Sequence, residues 1–316
     1  MSENAALEIG EGSILFPKGL PKKNQKKTSM GTARSVPQLR AIPGVDPTVE
    51  WFWGLGNALL DLRKDLQLSL KSNLNVLIVG ETGTGKELLA RKIHAERRKL
   101  HLLSEEAAPF VSVNCSTIPE ALAESILFGH ERGAFTSARD RQEGKFELAK
   151  QGVLFLDEVQ SLSLEVQSKL LRVLQEREVE RLGGKTTYKV ECKIIAATNV
   201  PLELLIEQKK FRKDLYYRLN ICPLYIPALR HRKEDFPVIV KGLLNKVCNE
   251  HKCSVPEISA PAYELLLAHP WAGNLREVEH ALTYSLLRAK SIIEVEHLPP
   301  SLTGKLSHYL SVGDWL

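Results

Sequence analysis

The chain has 316 residues, with 43 Lys and Arg against 38 Asp and Glu, a net charge of +5. That length accommodates one large domain or two moderate ones, and so small a positive excess makes no case for nucleic-acid binding by itself. No run of eighteen apolar residues is present to span a membrane, and the N-terminus lacks the apolar core and cleavage site of a signal peptide. A cytoplasmic location is expected. The five cysteines, Cys115, Cys192, Cys222, Cys248 and Cys253, form no C-x-x-C pair and read as scattered reduced thiols.

Residues 1–45 carry Lys18, Lys22, Lys23, Lys26 and Lys27 among Pro, Gly, Asn and Ser, without apolar periodicity. They read as a disordered basic leader, either touching nucleic acid or an acidic partner or simply solvated. An amphipathic helix is expected from Leu55 to Leu70. Four short apolar runs follow, Val76 to Val79, Phe110 to Val113, Val153 to Leu156 and Ile194 to Ala197, with helical stretches between them. This alternation predicts an α/β fold with a mostly parallel sheet over 46–228. The runs end at Gly80, Asn114, Asp157, and Thr198 with Asn199, and ligands bind beyond the carboxyl ends of such strands. From 229 to 303 the pattern becomes helical with no clear strand, predicting a smaller lid domain, followed by a short tail over 304–316.

Gly80, Glu81, Thr82, Gly83, Thr84, Gly85 and Lys86 follow a strand and open a helix from Glu87 to Lys99, the context of a Walker A phosphate loop. The glycines let backbone N–H groups face phosphates, and Lys86 supplies a point charge. Position 87 holds Glu where the general motif has a hydroxyl for Mg²⁺, although Thr84 is near. The run Val153 to Leu156 ends in Asp157 and Glu158, like a Walker B strand. Asp157 is the candidate Mg²⁺ ligand and Glu158 the group that polarises the attacking water. ATP and Mg²⁺ are the expected cofactors.

Several phrases in unbroken order then resemble one family. They are Gly80 to Glu87, Val113 to Cys115, Leu127 to Ala138, Leu154 to Glu158, Leu171 to Glu176, Arg181 to Gly184, Ala197 to Asn199, Phe211 to Asn220 and Trp271 to Glu277. Together, over residues 50 to 300, they resemble the AAA+ central domain of bacterial enhancer-binding proteins, the sigma-54-dependent transcriptional activators. Glu87 is common at that position in this family. The resemblance implies a ring-forming ATPase, usually a hexamer, that remodels sigma-54 RNA polymerase. It implies that Asn114 pairs with Glu158; an Asn capping a turn at the strand end is the alternative. It implies that Thr198 and Asn199 sense the γ-phosphate and that Arg276 is a second sensor from the lid. Asn274 before it reads as a helix cap, and Arg276 is alternatively a surface arginine paired with Glu277 or Glu279.

Arg212 and Arg218 match the arginine fingers that reach a neighbour's site. Six residues apart, they diverge by about 120° on one helix, so either the helix breaks before Arg218 or the two do different jobs. An ion pair with Asp214 is the structural alternative for either. Gly133, Ala134, Phe135, Thr136, Ser137 and Ala138 resemble the signature of the loop that engages sigma-54. Ser137 stands where the signature has Gly, and Ser tolerates φ > 0 less well. With Arg132 and Arg139 flanking it, the loop is expected to project with Phe135 exposed at its tip; a buried turn with Phe135 in the core is the alternative. The 16 residues after Pro300 cannot hold a helix-turn-helix, so specific DNA binding by this chain is not expected. Two other functions compete: an AAA+ regulator acting on a different protein partner, and a nucleotide-binding scaffold without turnover.

Overall fold

The computed structural model describes residues 52, 54, 56–100, 108–136 and 138–304, all within one compact unit. The leader, the final residues and Ser137 lie outside them. In chain order come α1 (Leu60–Leu70), β1 (Val76–Val79), α2 (Lys86–Lys99), β2 (Phe110–Asn114), α3 (Glu120–Phe128), β3 (Gly129–His130), β4 (Gln142–Glu143), α4 (Lys145–Leu148) and β5 (Val153–Asp157). Then follow α5 (Leu164–Glu176), β6 (Glu178–Glu180), β7 (Thr187–Lys189), β8 (Lys193–Thr198), α6 (Leu202–Glu207), α7 (Lys213–Leu219) and β9 (Cys222–Tyr225). The last group is α8 (Phe236–His251), β10 (Glu257–Ile258), α9 (Ala260–Ala268), α10 (Asn274–Leu286), β11 (Ile292–Ile293) and α11 (Pro300–Thr303). No helix among the described residues is long and apolar enough to cross a membrane.

Five strands form one parallel sheet in the order β2-β5-β8-β1-β9. The near-continuous apolar runs are explained by burial on both faces. Successive side chains alternate between faces. Val76, Ile78, Phe155, Ile195 and Ala197 face a core built with α1, α2, α8 and α10, whereas Leu77, Leu154, Leu156, Ile194 and Ala196 face α3, α5 and α7. One of the two cores thus continues from the sheet into the C-terminal helices, through Leu243, Leu275, Val278 and Leu282.

Three sequence expectations need correction. The helix expected from Leu55 to Leu70 runs over Leu60–Leu70, after a 3-10 turn over Asn57–Leu59, and Leu55 lies outside the described residues. A fifth strand, β9, lies at the sheet edge, where Pro223 costs no ladder hydrogen bond that the fold needs. The helical segment also contains a short parallel pair, β10 with β11.

The connection from α1 into β1 is held by three cations. Buried Lys193 donates to the carbonyls of Ser69, Ser72 and Leu74 at 3.0, 2.9 and 2.9 Å. Arg97 donates to Leu70 and Ser72 carbonyls at 2.7 and 2.9 Å, and Arg177 to the Asn75 side chain at 3.0 Å. These groups satisfy the carbonyls that a helix leaves unpaired at its C-terminus. Burial pushes the Lys193 ammonium down to about 8. Lys193→Met removes that desolvation cost but takes the ammonium from the Ser69, Ser72 and Leu74 carbonyls, of which only Ser72 keeps another donor, Arg97, and the second effect is larger. A loss of about 3 kcal/mol is expected, read as a lower urea midpoint at unchanged slope. A midpoint equal to that of the unsubstituted protein would show that water replaces the ammonium at no cost.

Candidate nucleotide site

The phosphate loop leaves β1 and turns on Gly83 and Gly85, at φ 79° and 97°. A Cβ on Gly83 would lie 2.2 Å from the Gly273 carbonyl oxygen, so only glycine allows this approach of the lid segment. Lys86 is the first residue of α2, one position before the expected start. Its ammonium donates to the Gly80 and Glu81 carbonyls at 2.9 and 3.3 Å. Burial lowers its pKa, opposed by the charges of Asp157 and Glu158. Asp157 is shifted upward, chiefly by burial and against the pull of Lys86.

The ends of β2 and β5 meet the phosphate loop here, whereas Thr198 and Asn199 at the end of β8 do not line the cleft. A cleft of about 510 Å³ is lined by Thr82, Gly83, Gly85, Lys86 and Glu87 from the loop and α2, by Asn114, Asp157 and Glu158 from β2 and β5, and by Arg276 from α10. Glu158 adopts a left-handed conformation, φ 54° and ψ 45°, that ends the strand abruptly.

Several loop side chains are committed elsewhere. Thr84 is buried, and its hydroxyl donates to the Glu81 carbonyl at 2.7 Å. It does not line the cleft as a stand-in for the missing hydroxyl. The Glu87 carboxylate pairs with Arg91 at 2.6 Å. Glu81 points to the lid segment, in a two-pronged pair with Arg230 at 2.6 and 2.8 Å. Arg230 holds the Glu81 carboxyl down to about 2.

Asn274 corrects the reading of a helix cap. Its buried side chain donates to the Thr82 carbonyl at 3.0 Å and the Glu81 carboxylate at 3.2 Å, and accepts from Leu229 N–H at 2.8 Å. Next to it, Leu275 N–H donates to the Gly83 carbonyl at 2.9 Å. The lid segment is therefore fastened to the phosphate loop by backbone and side chain together. Arg276, one residue on, is exposed and makes no ion pair among the described residues. Glu277 accepts from Gly273 N–H and Glu279 pairs with Lys246, so neither holds Arg276.

Two sensor assignments meet different geometry. The Asn114 side chain accepts from Ser116 N–H at 3.0 Å and its hydroxyl at 2.7 Å, capping a turn. The Asn114–Glu158 pair is not formed; the Glu158 carboxylate accepts instead from the Gln160 amide. Nothing in the sequence motifs singled out Gln160. Thr198 is buried and closes a turn with Val200, while Asn199 donates to the Thr82 hydroxyl at 3.1 Å.

The two arginines separate. Arg212 precedes α7, where it is tied to Asp214 at 2.7 and 3.0 Å and to the Ser168 hydroxyl at 3.0 Å. Arg218 lies in the same helix, exposed and without an ion pair among the described residues. The helix is unbroken before Arg218, while Arg212 sits outside it as an extended N-cap residue, so of the two alternatives the different jobs remain.

The loop between β3 and β4 is closed by its own backbone, and Phe135 is not at an exposed tip. Gly133, at φ 82°, donates its N–H to the Ala138 carbonyl at 2.8 Å, and Ala138 N–H donates to the Phe135 carbonyl at 2.9 Å. Phe135 is half-buried, its ring 5.0 Å from that of His130, whose Nδ1 lies 2.8 Å from the Ser125 hydroxyl. Ala134 is half-buried and Ala138 buried, while Thr136 is exposed. A second cleft of about 450 Å³ runs beside Phe135, lined by Leu122, Ile126, Arg139 and Arg141.

Comparison with known proteins agrees with this geometry. Residues 53–225 match the Sigma-54 interaction domain and residues 230–310 the AAA+ ATPase lid domain. The regulatory protein AtoC of Escherichia coli K12 is 44% identical over 260 residues, 81% of this chain and 55% of AtoC. The Nif-specific regulatory protein of Azotobacter vinelandii is 47% identical over 220 residues, 70% of this chain and 41% of that protein. The chain thus spans about half the length of these relatives. The crystal structure of NtrX from Brucella abortus in complex with ATP superimposes with a TM-score of 0.71 at 33% identity, covering 80% of this chain and 55% of that one. With matched phrases, sheet, lid and phosphate loop in agreement, the chain belongs to the sigma-54 activator family of AAA+ enhancer-binding proteins.

Proposed function

We propose that this chain is an ATPase that assembles into a ring, with the hexamer as its expected form, and spends ATP hydrolysis on remodelling sigma-54 RNA polymerase. The observation that carries this reading is the convergence of Lys86, Asp157 and Glu158 on one cleft beside the glycine loop. The NtrX relative, crystallised with ATP, supports a nucleotide as the occupant.

The residues present fit a Mg²⁺–nucleotide pair. Asp157 offers a half-buried carboxylate facing Lys86, and Mg²⁺ characteristically takes one or two carboxylates and completes its shell with phosphates and water. When bound, the ion neutralises charge on the phosphates. Lys86 and the loop N–H groups hold the phosphates, and the helix N-terminus favours the anion. Glu158, at the same cleft, polarises the attacking water. Arg276 at the rim reaches the phosphates from the lid side, while Arg218 of each subunit serves the cleft of its neighbour. Because such fingers act across subunits, turnover per molecule is expected to rise with concentration as the ring assembles.

The loop carries the partner claim. It offers Thr136 to solvent and an adjoining cleft of mixed apolar and charged lining, away from the nucleotide residues. Phe135→Ala and Thr136→Ala are expected to keep ATP hydrolysis within about threefold while abolishing formation of a stable complex with sigma-54 in an ATP transition-state mimic. Loss of both activities would make the loop structural. Retention of both would move the remodelling target to another partner.

A further inference from the structure

Between Glu158 and the phosphate loop lies a continuous hydrogen-bonded chain. The Gln160 amide donates one hydrogen to the Glu158 carboxylate and the other to Asn199 Oδ1, at 2.9 Å. Asn199 in turn donates from Nδ2 to the Thr82 hydroxyl at 3.1 Å. Glu158 and Thr82, the two ends, line the nucleotide cleft; Gln160 and Asn199, the middle, do not. The chain therefore links the catalytic carboxylate to the phosphate loop by a path outside the space a nucleotide fills.

The orientation of Gln160 is fixed by charge. A primary amide has two N–H donors and one carbonyl acceptor. Turned over, it would place its carbonyl oxygen against a carboxylate and against Asn199 Oδ1, two repulsive contacts. Its own Oε1 is buried with no partner among the described residues. A buried acceptor left unpaired costs free energy. The two donor bonds, one of them to a charged acceptor, outweigh that cost. The backbone adds constraint. Gln160 lies in the 3-10 turn Val159–Ser161, closed by Ser161 N–H on the Glu158 carbonyl at 2.9 Å, and Val159 beside it is wholly buried. Asn114, which lines the same cleft, accepts from Ser116 through Oδ1 and makes no hydrogen bond to Glu158.

We propose that Gln160 is a positioning residue for hydrolysis, fixing which oxygen of Glu158 faces the cleft and passing contact at Thr82 to Glu158 through Asn199. The proposal rests on the ATPase reading above. A general base held in one posture gains over one that samples several, because small misplacements at a reacting centre are costly in rate.

The test uses the assembled full chain. Gln160→Met keeps the volume without the donor, and Gln160→Ala removes both. Both are expected to lower kcat about tenfold or more while leaving KM for ATP within about twofold. Asn199→Ala is expected to lower kcat too, and Gln160→Met combined with it to cost no more than the larger single effect, since both break one path. Turnover of Gln160→Met equal to that of the unsubstituted protein would overturn the proposal, as would effects of Gln160 and Asn199 that multiply. If the unsubstituted protein hydrolyses no ATP, the ATPase reading fails, and the bridge is then judged by ¹H–¹⁵N spectra of its side-chain amides. Slowly exchanging Gln160 amide protons whose signals shift and exchange faster in Asn199→Ala sustain it; fast exchange in the unsubstituted protein overturns it.

Discussion

Arg218→Ala is expected to lower ATP turnover by about 10³-fold, with nucleotide affinity little changed. The side chain is exposed, lies on an unbroken helix and makes no ion pair among the described residues, so its removal leaves nothing stranded within its own subunit. On the proposed ring reading, its loss acts where charge builds up on the transferred phosphoryl group of the neighbouring cleft. Arg212 differs, because Asp214 and Ser168 already occupy its guanidinium. To act as a finger it would first have to leave a two-pronged pair. Arg212→Ala is therefore expected to cost less, about tenfold. Equal losses at the two positions would contradict this division.

Glu158→Gln is expected to bind ATP normally and to hydrolyse it about 10²- to 10³-fold more slowly. The amide keeps the size of the carboxylate and loses its basicity. Lys86→Ala should act on the other axis, weakening ATP binding, since it removes the one ammonium facing the two carboxylates. The two inactive variants then provide a complementation test. In a ring where every subunit contacts the next through unlike surfaces, random mixing of Arg218→Ala with Glu158→Gln restores about a quarter of the interfaces to full composition. Each such interface joins an intact Glu158 on one side to an intact Arg218 on the other. Recovered activity in the mixture supports a shared site. A mixture as inactive as either component would place both residues in one subunit's chemistry.

How far the sequence reached depended on the range of each interaction. The phosphate loop was legible because its glycines, Lys86 and the apolar run before it are contiguous. The meeting of Asn114, Asp157 and Glu158 followed from strand ends alone, since a parallel sheet brings its carboxyl ends together. Helical arithmetic could set Arg212 and Arg218 apart but could not show that Arg212 lies outside the helix, as its extended N-cap residue. Strand β9 escaped notice because it is four residues long and contains Pro223, a residue that argues against a central strand. The other misses are contacts between distant segments. Asn274 looks like a cap locally, yet its partner Thr82 is 192 residues away. Gln160 belongs to no motif and acquires meaning only from Asn199, 39 residues on. Phe135 was expected at an exposed tip because its neighbours are polar, whereas its ring finds His130 and stays half-buried.

The fastening of the phosphate loop to the lid segment bears on where this molecule can be divided. The Gly83 carbonyl is satisfied by Leu275, the Thr82 carbonyl by Asn274 and the Glu81 carboxylate by Arg230, all from beyond the last strand of the sheet. A chain cut after that strand would keep all five strands of the sheet and both carboxylates, yet its nucleotide loop would lose the partners that hold its shape. Cooperative opening should respect that dependence. In amide hydrogen exchange, residues 80–85 would share their protection with the start of α10 rather than with the strand that precedes them.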